Sequence, residues 1–529
     1  MLKSVNKVSS FTPKYFFKFL TLPVFFVLLV FYYYKYLYFF DQDAYCYTEI
    51  ALKYSKGNFS DAINGYWSPL YSLISVPLIW ITGNALLSLK IINVAAALLC
   101  LTRLQKIINS LNIAPFLHCV LQFSFALALA SFTFSDITPD LLNIYFLLLY
   151  LHLVITNKTF DKPVFTGLSG VLLYLSKYYT FWFFLVHLTF HLISKLVNTA
   201  DKKSLLAPFL KTMGAFITGC GIWIFCLSVK YHKAVISTSG AYNHSIVATG
   251  TIKHQWPEAG IVPPYKNNLF AWEEITLSYP YSNWSPFENK NAALTQWGLI
   301  KSNFLIITDY LNAATRYGFY INLLIVILLL WRYRFKKEIF NNIHIQLIVF
   351  GVIFFSGYLY ILCTYRYIRI LYFISALSII LFLNEWFIQF TQPLLKYGLI
   401  LFSLYCLVTY YADNVFSPAK KDICLILENQ VAIKKLLTKN DKVISSAPLF
   451  GLPLVTETRS VHYGSYNGYN KKDDALLNDL KKYRITAILM PDTASYIPSF
   501  FSRFQKISLP LKGIFLYKID SSVLTETRN

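Results

Sequence analysis

Long apolar stretches recur along the chain and are separated by short polar turns. A helix needs about 20 apolar residues to cross a bilayer, and by this measure the pattern predicts eleven membrane spans. They lie near residues 19–40, 84–102, 114–134, 141–156, 162–176, 178–195, 208–229, 312–331, 343–361, 369–385 and 396–413. The pattern therefore predicts an all-α polytopic membrane domain over residues 1–413.

Two segments depart from this pattern and are predicted to lie outside the membrane. The loop 230–300 is rich in Trp, Tyr, Pro and Asn, and it is too long and too aromatic to be a simple connection. The tail 414–529 contains, in order, stretches typical of a strand, a helix, a strand and a hairpin, at residues 442–448, 473–483, 485–491 and 507–519. The tail is therefore predicted to be a small α/β domain.

The Lys and Arg residues are distributed unevenly between alternate turns. With the N-terminus in the cytoplasm, the inside segments hold 16 Lys and Arg residues and the short outside segments hold 5. Cytoplasmic loops of membrane proteins carry such an excess. An odd number of spans then places the C-terminal domain on the extracytoplasmic side, together with the loops 41–83 and 230–300.

The composition agrees with a membrane protein and narrows the range of partners. Of the 529 residues, 56% are hydrophobic and 14% are charged, whereas about a quarter are charged in soluble domains. The formal net charge of +22 comes without the Lys/Arg-rich runs of nucleic-acid-binding proteins, so it indicates membrane lipids and not nucleic acid as a partner. The eight cysteines include no C-x-x-C pair and predict neither a disulfide framework nor a zinc site.

Acidic residues stand directly after the first predicted span, in the stretch DQDAYCYTEIA at 41–51. The simplest interpretation is that Asp41 caps a helix. The alternative is chemical, because a carboxylate at the membrane surface can act as a general base on the head group of a lipid-borne substrate. The one-residue gap between Asp41 and Asp43 would also permit a hard cation such as Mg²⁺ or Mn²⁺, although nothing in the sequence requires one.

Three further outer turns carry charged residues of both signs. These residues are Asp136 and Asp140 in the second turn, Lys177 in the third, and Arg366 and Arg369 in the last. Arg contacts phosphate oxygens in pairs and Lys offers a point charge, so the four turns together would hold a phosphodiester or pyrophosphate beside an acid. The alternatives are helix capping for the acids and snorkelling to lipid phosphate for the cations.

Several of these stretches resemble motifs of membrane glycosyltransferases with the GT-C fold, of the glycosyltransferase family 39 type. That group includes protein mannosyltransferases and the lipid A aminoarabinose transferase. DAYCYTEIA at 43–51 resembles the first-loop signature of the group. TPDLL at 138–142, GLSGVLLYLSK at 167–177 and YRYIR at 365–369 are similar to its later Asp, Lys and Arg-Tyr motifs. The resemblance covers about residues 1–390 in order and topology.

The resemblance implies transfer of a sugar from a polyprenyl-phosphate donor to a lipid, glycan or protein acceptor, usually with inversion. It implies Asp43 as the general base or the acid that orients the acceptor, with Asp41 and Asp140 assisting. Ala44 stands where the family has a Glu, which leaves open whether Asp41 takes over that carboxylate's role. Asp41 and Asp43 would bind Mg²⁺ or Mn²⁺ only if the enzyme is metal-dependent.

The resemblance also implies a set of substrate-binding residues, in which cations hold the carrier phosphate and aromatic rings stack on sugar. The set is Asp136, Asp140, Lys177, Tyr178, Arg366, Arg369, Tyr45, Tyr47 and Trp67. Trp256, Trp272 and Trp284 of the loop 230–300 are further candidates for stacking. The type of family member suggests a multi-pass protein of a bacterial inner membrane.

A polytopic transporter or lipid flippase and a membrane-anchored scaffold are the competing interpretations. A transporter predicts ionisable groups at mid-membrane depth and broken, paired helices, whereas the acids here lie in outer turns. A scaffold would leave the clustered carboxylates and cations without a role. The sequence therefore favours a glycosyltransferase and leaves its sugar and acceptor unnamed.

Overall fold

Helices form most of the chain up to residue 416, and a β-sheet dominates the remainder. The computed structural model describes residues 13–37, 41–199, 201–249, 260–279, 281, 283–334, 336–416, 430–446, 456–469, 472–491, 497–508 and 514–520. Trp256, predicted above to stack on sugar, lies outside these ranges.

Eight of the described helices are long and apolar enough to cross a membrane. They are Pro13–Lys35, Ala85–Asn109, Pro115–Ser135, Thr180–Asn198, Lys203–Tyr231, Ile343–Tyr360, Ile370–Gln389 and Pro393–Ala412. A ninth crossing results if Lys290–Ala314 and Gly318–Tyr333, which meet at a bend of 98°, count as one span. The chain is therefore a multi-pass membrane protein, as predicted.

Shorter helices fill the spaces between these spans and form part of the C-terminal domain. The shorter apolar helices are Pro69–Thr82, Asp140–Ile155 and Pro163–Ser176. The remaining helices and helical turns are Gln42–Ser55, Phe59–Ala62, Ser239–Thr249, Ala271–Glu274, Ile275–Ser278, Lys337–Asn341, Gln430–Leu436, Tyr466–Tyr469, Asp473–Tyr483 and Ser499–Arg503.

Each of the eleven predicted spans coincides with a helix, but fewer of them are long enough for a complete crossing. Asp140–Ile155 has 16 residues and Pro163–Ser176 has 14, so at about 1.5 Å per residue both fall short of a hydrocarbon core about 30 Å thick. Pro163 is the first residue of the second of these helices, and the extended backbone of Lys177 ends that helix. The estimate of about eleven is therefore reduced to eight or nine.

The predicted loop 230–300 is shorter in the structure. The helix Lys290–Ala314 starts inside it, where the side chain of Asn289 accepts a hydrogen bond from the Ala292 amide at 2.9 Å. Polar residues along this helix lower its apolar signal, so the pattern alone did not mark its start. Arg316 and Tyr317 have left-handed φ angles of 35° and 61°, which end the helix and produce the sharp bend that follows.

The interior of the helical part is packed with aromatic and aliphatic side chains from Pro115–Ser135 and Ile370–Gln389. The rings of Phe125 and Phe373 meet edge to face, with their centroids 5.2 Å apart. Large apolar side chains such as Trp331 are exposed on the outside of the bundle, where lipid tails would cover them. This rigid interior supports the turns that carry the charged residues.

The C-terminal domain is a mixed five-stranded sheet, which agrees with the predicted α/β domain. Its strands are β1 Lys442–Ser445, β2 Val461–Ser465, β3 Ala487–Pro491, β4 Gln505–Ser508 and β5 Ile514–Lys518, in the order β2-β1-β3-β5-β4. β1 pairs parallel with β2 and β3, whereas β5 pairs antiparallel with β3 and β4. The helix Asp473–Tyr483 buries Leu476 and Leu480 in the same core.

The edge strand β2 touches a segment of the predicted loop 230–300. Ile261 forms an isolated antiparallel bridge with Gly464, and Phe270 forms a parallel one with His462. Gly464 has a φ of 108°, and a Cβ there would collide with the carbonyl oxygen of Gly260. The close approach of the two backbones therefore depends on glycine at this position.

Candidate functional site

The helix Gln42–Ser55 places the first acidic turn. Asp41 is its N-cap, with extended backbone angles, and its Oδ1 accepts a hydrogen bond from the Asp43 amide at 3.2 Å. The carboxylate of Asp43 in the first turn also suits the positive end of the helix dipole. The capping interpretation of Asp41 is therefore confirmed, and Asp43 is held one residue inside the helix.

Arg366 joins the first acidic turn to the last predicted outer turn. Its two terminal nitrogens donate to Asp41 Oδ2 and to Asp43 Oδ2, so one guanidinium spans both carboxylates. Its Nε lies 3.8 Å from Asp140 Oδ2. Arg366 thus lies among three acids from two separate turns. Asp41 therefore has two roles, since it caps the helix and also binds Arg366.

Lys177 and Asp140 form the second ion pair of the site. Lys177 Nζ donates to Asp140 Oδ1, and the Thr138 hydroxyl donates to Asp140 Oδ2 at 2.7 Å. The ammonium group lies 3.8 Å from the centre of the Tyr367 ring. Lys177 lies at the break between the helices Pro163–Ser176 and Thr180–Asn198, and Asp140 lies in the first turn of the earlier helix Asp140–Ile155.

These ion pairs and the burial of the site affect the ionisation of Asp41 and Arg366. Burial and the neighbouring Asp43 carboxylate raise the pKa of Asp41 to about 7, and Arg366 opposes them. Burial lowers the pKa of Arg366, but Asp43 and Asp41 raise it well above its usual range. Two acids share one guanidinium, so a proton on Asp41 is favoured below neutral pH.

A cavity of about 710 Å³ opens beside the ion pairs. Its wall includes the predicted site residues Asp43, Tyr47, Trp67, Asp140, Lys177, Tyr178 and Arg366. Ligand pockets of small molecules typically enclose about 300–1,000 Å³, so this cavity has room for a sugar and a phosphate. One acid of the first turn and the two cations of the later turns therefore face a common space.

Four predicted site residues lie outside the wall of this cavity. Asp41 pairs with Arg366 but does not line the cavity, and Tyr45 is buried in the helical interior. Arg369 and Asp136 pair with each other at 2.5 Å, and the Arg369 guanidinium packs on the Phe132 ring at 4.5 Å. The structure thus brings Arg366 to the cavity and directs Arg369, three residues later, into a separate pair.

Comparison with solved structures finds chains with the same fold. ArnT from Cupriavidus metallidurans bound to undecaprenyl phosphate matches with a TM-score of 0.55 at 10% identity, over 95% of this chain and 98% of that chain. The archaeal oligosaccharyltransferase AglB from Archaeoglobus fulgidus, in complex with an inhibitory peptide and a dolichol-phosphate, matches with a TM-score of 0.55 at 11% identity, over 90% and 70%. The chain has the GT-C fold of membrane glycosyltransferases.

A second AglB structure, a complex with Zn and sulfate, matches the GT-C fold of this chain with a TM-score of 0.54 at 12% identity, over 88% of this chain and 68% of that chain. No family model matches the sequence, and no curated protein matches it significantly. At such low identity the likeness shows the fold alone.

Within the described part of this GT-C fold, no group of three or more His, Cys, Asp or Glu residues is arranged to hold a metal ion. Asp41 and Asp43, the predicted metal ligands, both accept hydrogen bonds from Arg366. A guanidinium therefore lies where a cation shared by these two carboxylates would bind. The residues present do not fit a metal in this arrangement.

The sequence did not single out a whole stretch of the cavity wall. Residues 233–241 and Asn243 also line the cavity, and they include hydroxyl and amide side chains as well as Lys233. Asn243 accepts a hydrogen bond from Tyr66 at 2.9 Å. The only available signal was a run of Ser, Thr and Asn directly after an apolar span, which is ordinary for a loop.

Trp272, which the sequence predicts only as a candidate for stacking on sugar, donates to Asp43 Oδ1 at 3.4 Å.

Proposed function

We propose that this protein transfers a sugar from a polyprenyl-phosphate donor to a lipid, glycan or protein acceptor. The observation that carries the proposal is the cavity in which Asp43 faces Lys177 and Arg366 on a GT-C fold. ArnT was solved with undecaprenyl phosphate and AglB with a dolichol-phosphate, which supports a carrier of the same class here. The ionisable groups lie at helix ends, which argues against a transporter or flippase.

In this proposal the two cations bind the carrier phosphate. The donor phosphate competes with a carboxylate for Arg366, because that guanidinium is already paired in the absence of substrate. Lys177, which lies beside Asp140 as Arg366 does, adds a point charge. Negative charge grows on the phosphate as the sugar leaves, and both cations stabilise it more in the transition state than in the ground state.

Asp43 acts as the general base on the acceptor. The acceptor oxygen or nitrogen attacks the anomeric carbon, the bond from that carbon to the phosphate oxygen breaks, and the phosphate keeps the bonding pair. Asp43 takes the proton that the acceptor loses. A single displacement of this kind inverts the anomeric centre. Residues 234–241, which line the cavity, offer hydroxyl and backbone groups to the sugar.

The orientation and the membrane are part of the same proposal. The excess of Lys and Arg in alternate turns supports a cytoplasmic N-terminus and a cavity on the extracytoplasmic face. A bacterial inner membrane would supply polyprenyl-phosphate sugars on that face. We further propose that transfer proceeds without Mg²⁺ or Mn²⁺, because Arg366 lies between the two carboxylates when no donor is bound, and Arg366 and Lys177 supply the positive charge at the phosphate when it is bound.

Removing the gene from its source cells tests the proposal without knowledge of the substrate. We expect one polyprenyl-phosphate sugar to accumulate and one glycosylated product to disappear, as read by mass spectrometry of extracted lipids and glycans. Both changes should be reversed by the wild-type gene. Unchanged lipids and glycans in the deleted cells would contradict the proposed function.

Asp41 provides a prediction about protonation. The Asp41→Asn variant keeps an N-cap and resembles the protonated acid, so we expect transfer at pH 6 to fall less than about tenfold. The folded pKa of Asp41 is raised to about 7, so its contribution to stability is full below the unfolded pKa and is lost as pH rises through 7. The difference in unfolding temperature should therefore shift in favour of the variant as pH rises from 5 to 7 and level off above about pH 7, and an unchanged difference from pH 5 to 8 would refute this assignment.

A further inference from the structure

One segment connects the C-terminal sheet to the helix that carries Asp43. We call residues 260–274 the bridging segment. Along one side it hydrogen-bonds to β2: the His462 amide donates to the Leu269 carbonyl at 2.7 Å, and the Val262 amide donates to the Tyr463 carbonyl at 2.7 Å. The bridging segment therefore extends the edge of the sheet.

The other end of the bridging segment contacts the acid-bearing helix. The Trp272 indole donates to Asp43 Oδ1 at 3.4 Å. The Trp272 carbonyl accepts from the Trp67 indole at 3.1 Å and from the Cys46 thiol at 3.5 Å. Trp272 is thus fixed between the proposed base and an aromatic residue of the cavity wall, so a displacement of the bridging segment would displace Asp43 as well.

A buried ion pair fixes the bridging segment to the last turn of the same helix. Lys53 Nζ donates to Glu273 Oε2 at 2.5 Å and to Asn268 Oδ1 at 2.7 Å. The other oxygen of Glu273 accepts from the Leu269 amide at 2.6 Å, and the Glu273 side chain is only 1% exposed. Each partner of this pair is hydrogen-bonded again, which makes the connection specific.

The C-terminal domain also contacts the helix Gln42–Ser55 directly. Arg459 lies two residues before β2, in a left-handed turn with a φ of 59°. One of its terminal nitrogens donates to both carboxylate oxygens of Glu49, each at 2.9 Å. Glu49 is 1% exposed, whereas Arg459 is 41% exposed. A surface cation of the sheet domain therefore neutralises a buried acid one and a half helical turns from Asp43.

We infer that Arg459 is a positioning residue: it binds Glu49 and so holds the acid-bearing helix and the bridging segment in the arrangement that aims Asp43 at the acceptor. This role rests on the proposed function for Asp43. It gives the C-terminal domain a part in the reaction, although Arg459 itself lies outside the cavity wall. Small displacements of an aligned group lower rates strongly, roughly a hundredfold for about 1 Å.

The pH dependence of the Arg459 contact distinguishes this role from general support of the fold. Three charged groups act on Glu49: Arg459 from the sheet domain, Glu273 from the bridging segment and Lys53 from the helix that carries Glu49. Burial and Glu273 raise the pKa of Glu49 to about 7, whereas Arg459 and Lys53 lower it. The raised pKa means that the contribution of Glu49 to stability is full below its unfolded pKa and is lost as pH rises through 7. Arg459 limits that loss, so its removal should matter more at higher pH.

The Arg459→Gln variant of the full-length protein tests the inference. We expect kcat to fall roughly tenfold at pH 8 and much less at pH 6, with the KM for the donor nearly unchanged, because Lys177 and Arg366 stay in place. Arg459→Lys should recover part of the loss. Glu49→Gln should remove the pH dependence, and adding it to Arg459→Gln should cost less than the sum of the two changes.

Lys434 offers a matched control. It pairs with Glu457 at 2.7 Å in the same domain, but both side chains are more than 40% exposed, at 47% and 41%. An exposed pair of this kind contributes little. Lys434→Gln should therefore leave kcat, the donor KM and their pH dependence as in the wild type.

Hydrogen exchange provides a readout that does not depend on which reaction the protein catalyses. In Arg459→Gln, the amides of Val262 and Leu269 should exchange faster, whereas those of β3 and β5 should stay as protected as in wild type. Unchanged exchange in the bridging segment would overturn the connection itself. Faster exchange with unchanged kcat at pH 8, or equal losses of kcat at pH 6 and pH 8, would overturn the positioning role.

Discussion

Asp43→Asn is expected to abolish detectable sugar transfer while leaving the protein folded and inserted in the membrane. The substitution keeps the size of the side chain and one acceptor oxygen, which can accept from Arg366 or from Trp272 but not from both, and the amide cannot take a proton from the acceptor. Loss of a general base typically costs about 10²–10⁴ in rate. We therefore expect kcat to fall by at least about a hundredfold, with a smaller change in the donor KM.

The measurement is transfer of labelled sugar in proteoliposomes that contain the purified protein, once the deleted cells have identified the donor. Asp61→Asn is the matched control, since Asp61 belongs to the same predicted loop and lies outside the wall of the 710 Å³ cavity. Asp43→Asn should still bind undecaprenyl phosphate alone, as measured by the thermal stabilisation of the protein that this binding produces. Full transfer activity of this variant would remove Asp43 from the mechanism.

Arg366→Ala is expected to have the second largest effect, and mainly on the donor. Arg366 pairs with Asp41 and Asp43 and lies 3.8 Å from Asp140, and in the proposed mechanism its guanidinium turns from these acids to the carrier phosphate. A charge-assisted hydrogen bond contributes about 1.5–3 kcal/mol, which corresponds to roughly ten- to a hundredfold in binding. The donor KM should therefore rise by that factor, and the acceptor KM should change much less.

Arg369→Lys supplies the control for Arg366, because it lies three residues later and pairs with Asp136 away from the cavity. Its donor KM should stay within about threefold of wild type. Arg366→Lys keeps the charge but not the planar fork, so it should fall between wild type and Arg366→Ala. Equal increases in the donor and acceptor KM values of Arg366→Ala would contradict a role in holding the phosphate.

The site shows which inferences a sequence permits. The acids and cations were found because charged residues at the ends of apolar runs are conspicuous and local. Their partners were not found, because Arg366 and Asp41 are 325 positions apart in the chain. Sequence spacing treated Arg366 and Arg369 alike, whereas packing directs the first to Asp43 and the second to Asp136.

The role of Asp41 shows the same limit. Its spacing predicted an N-cap, and the structure has one. The sharing of one guanidinium between Asp41 and Asp43 requires a side chain from the last predicted outer turn, and no local pattern encodes that. The spacing of Asp41 and Asp43 left open whether these two acids bind a metal. Only the position of Arg366 between them argues against it.

The sequence by itself determined that the chain is a multi-pass helical membrane protein with a C-terminal α/β domain and with acids and cations at the ends of its helices. Hydrophobic period and charge placement are local properties, and burial in lipid or in a core enforces them residue by residue. Only the tertiary structure decided which charges meet, that Trp272 contacts Asp43, and that Arg459 reaches Glu49 across 410 positions. Such contacts depend on how whole helices and a sheet pack against one another, and many sequences with the same local pattern would pair differently.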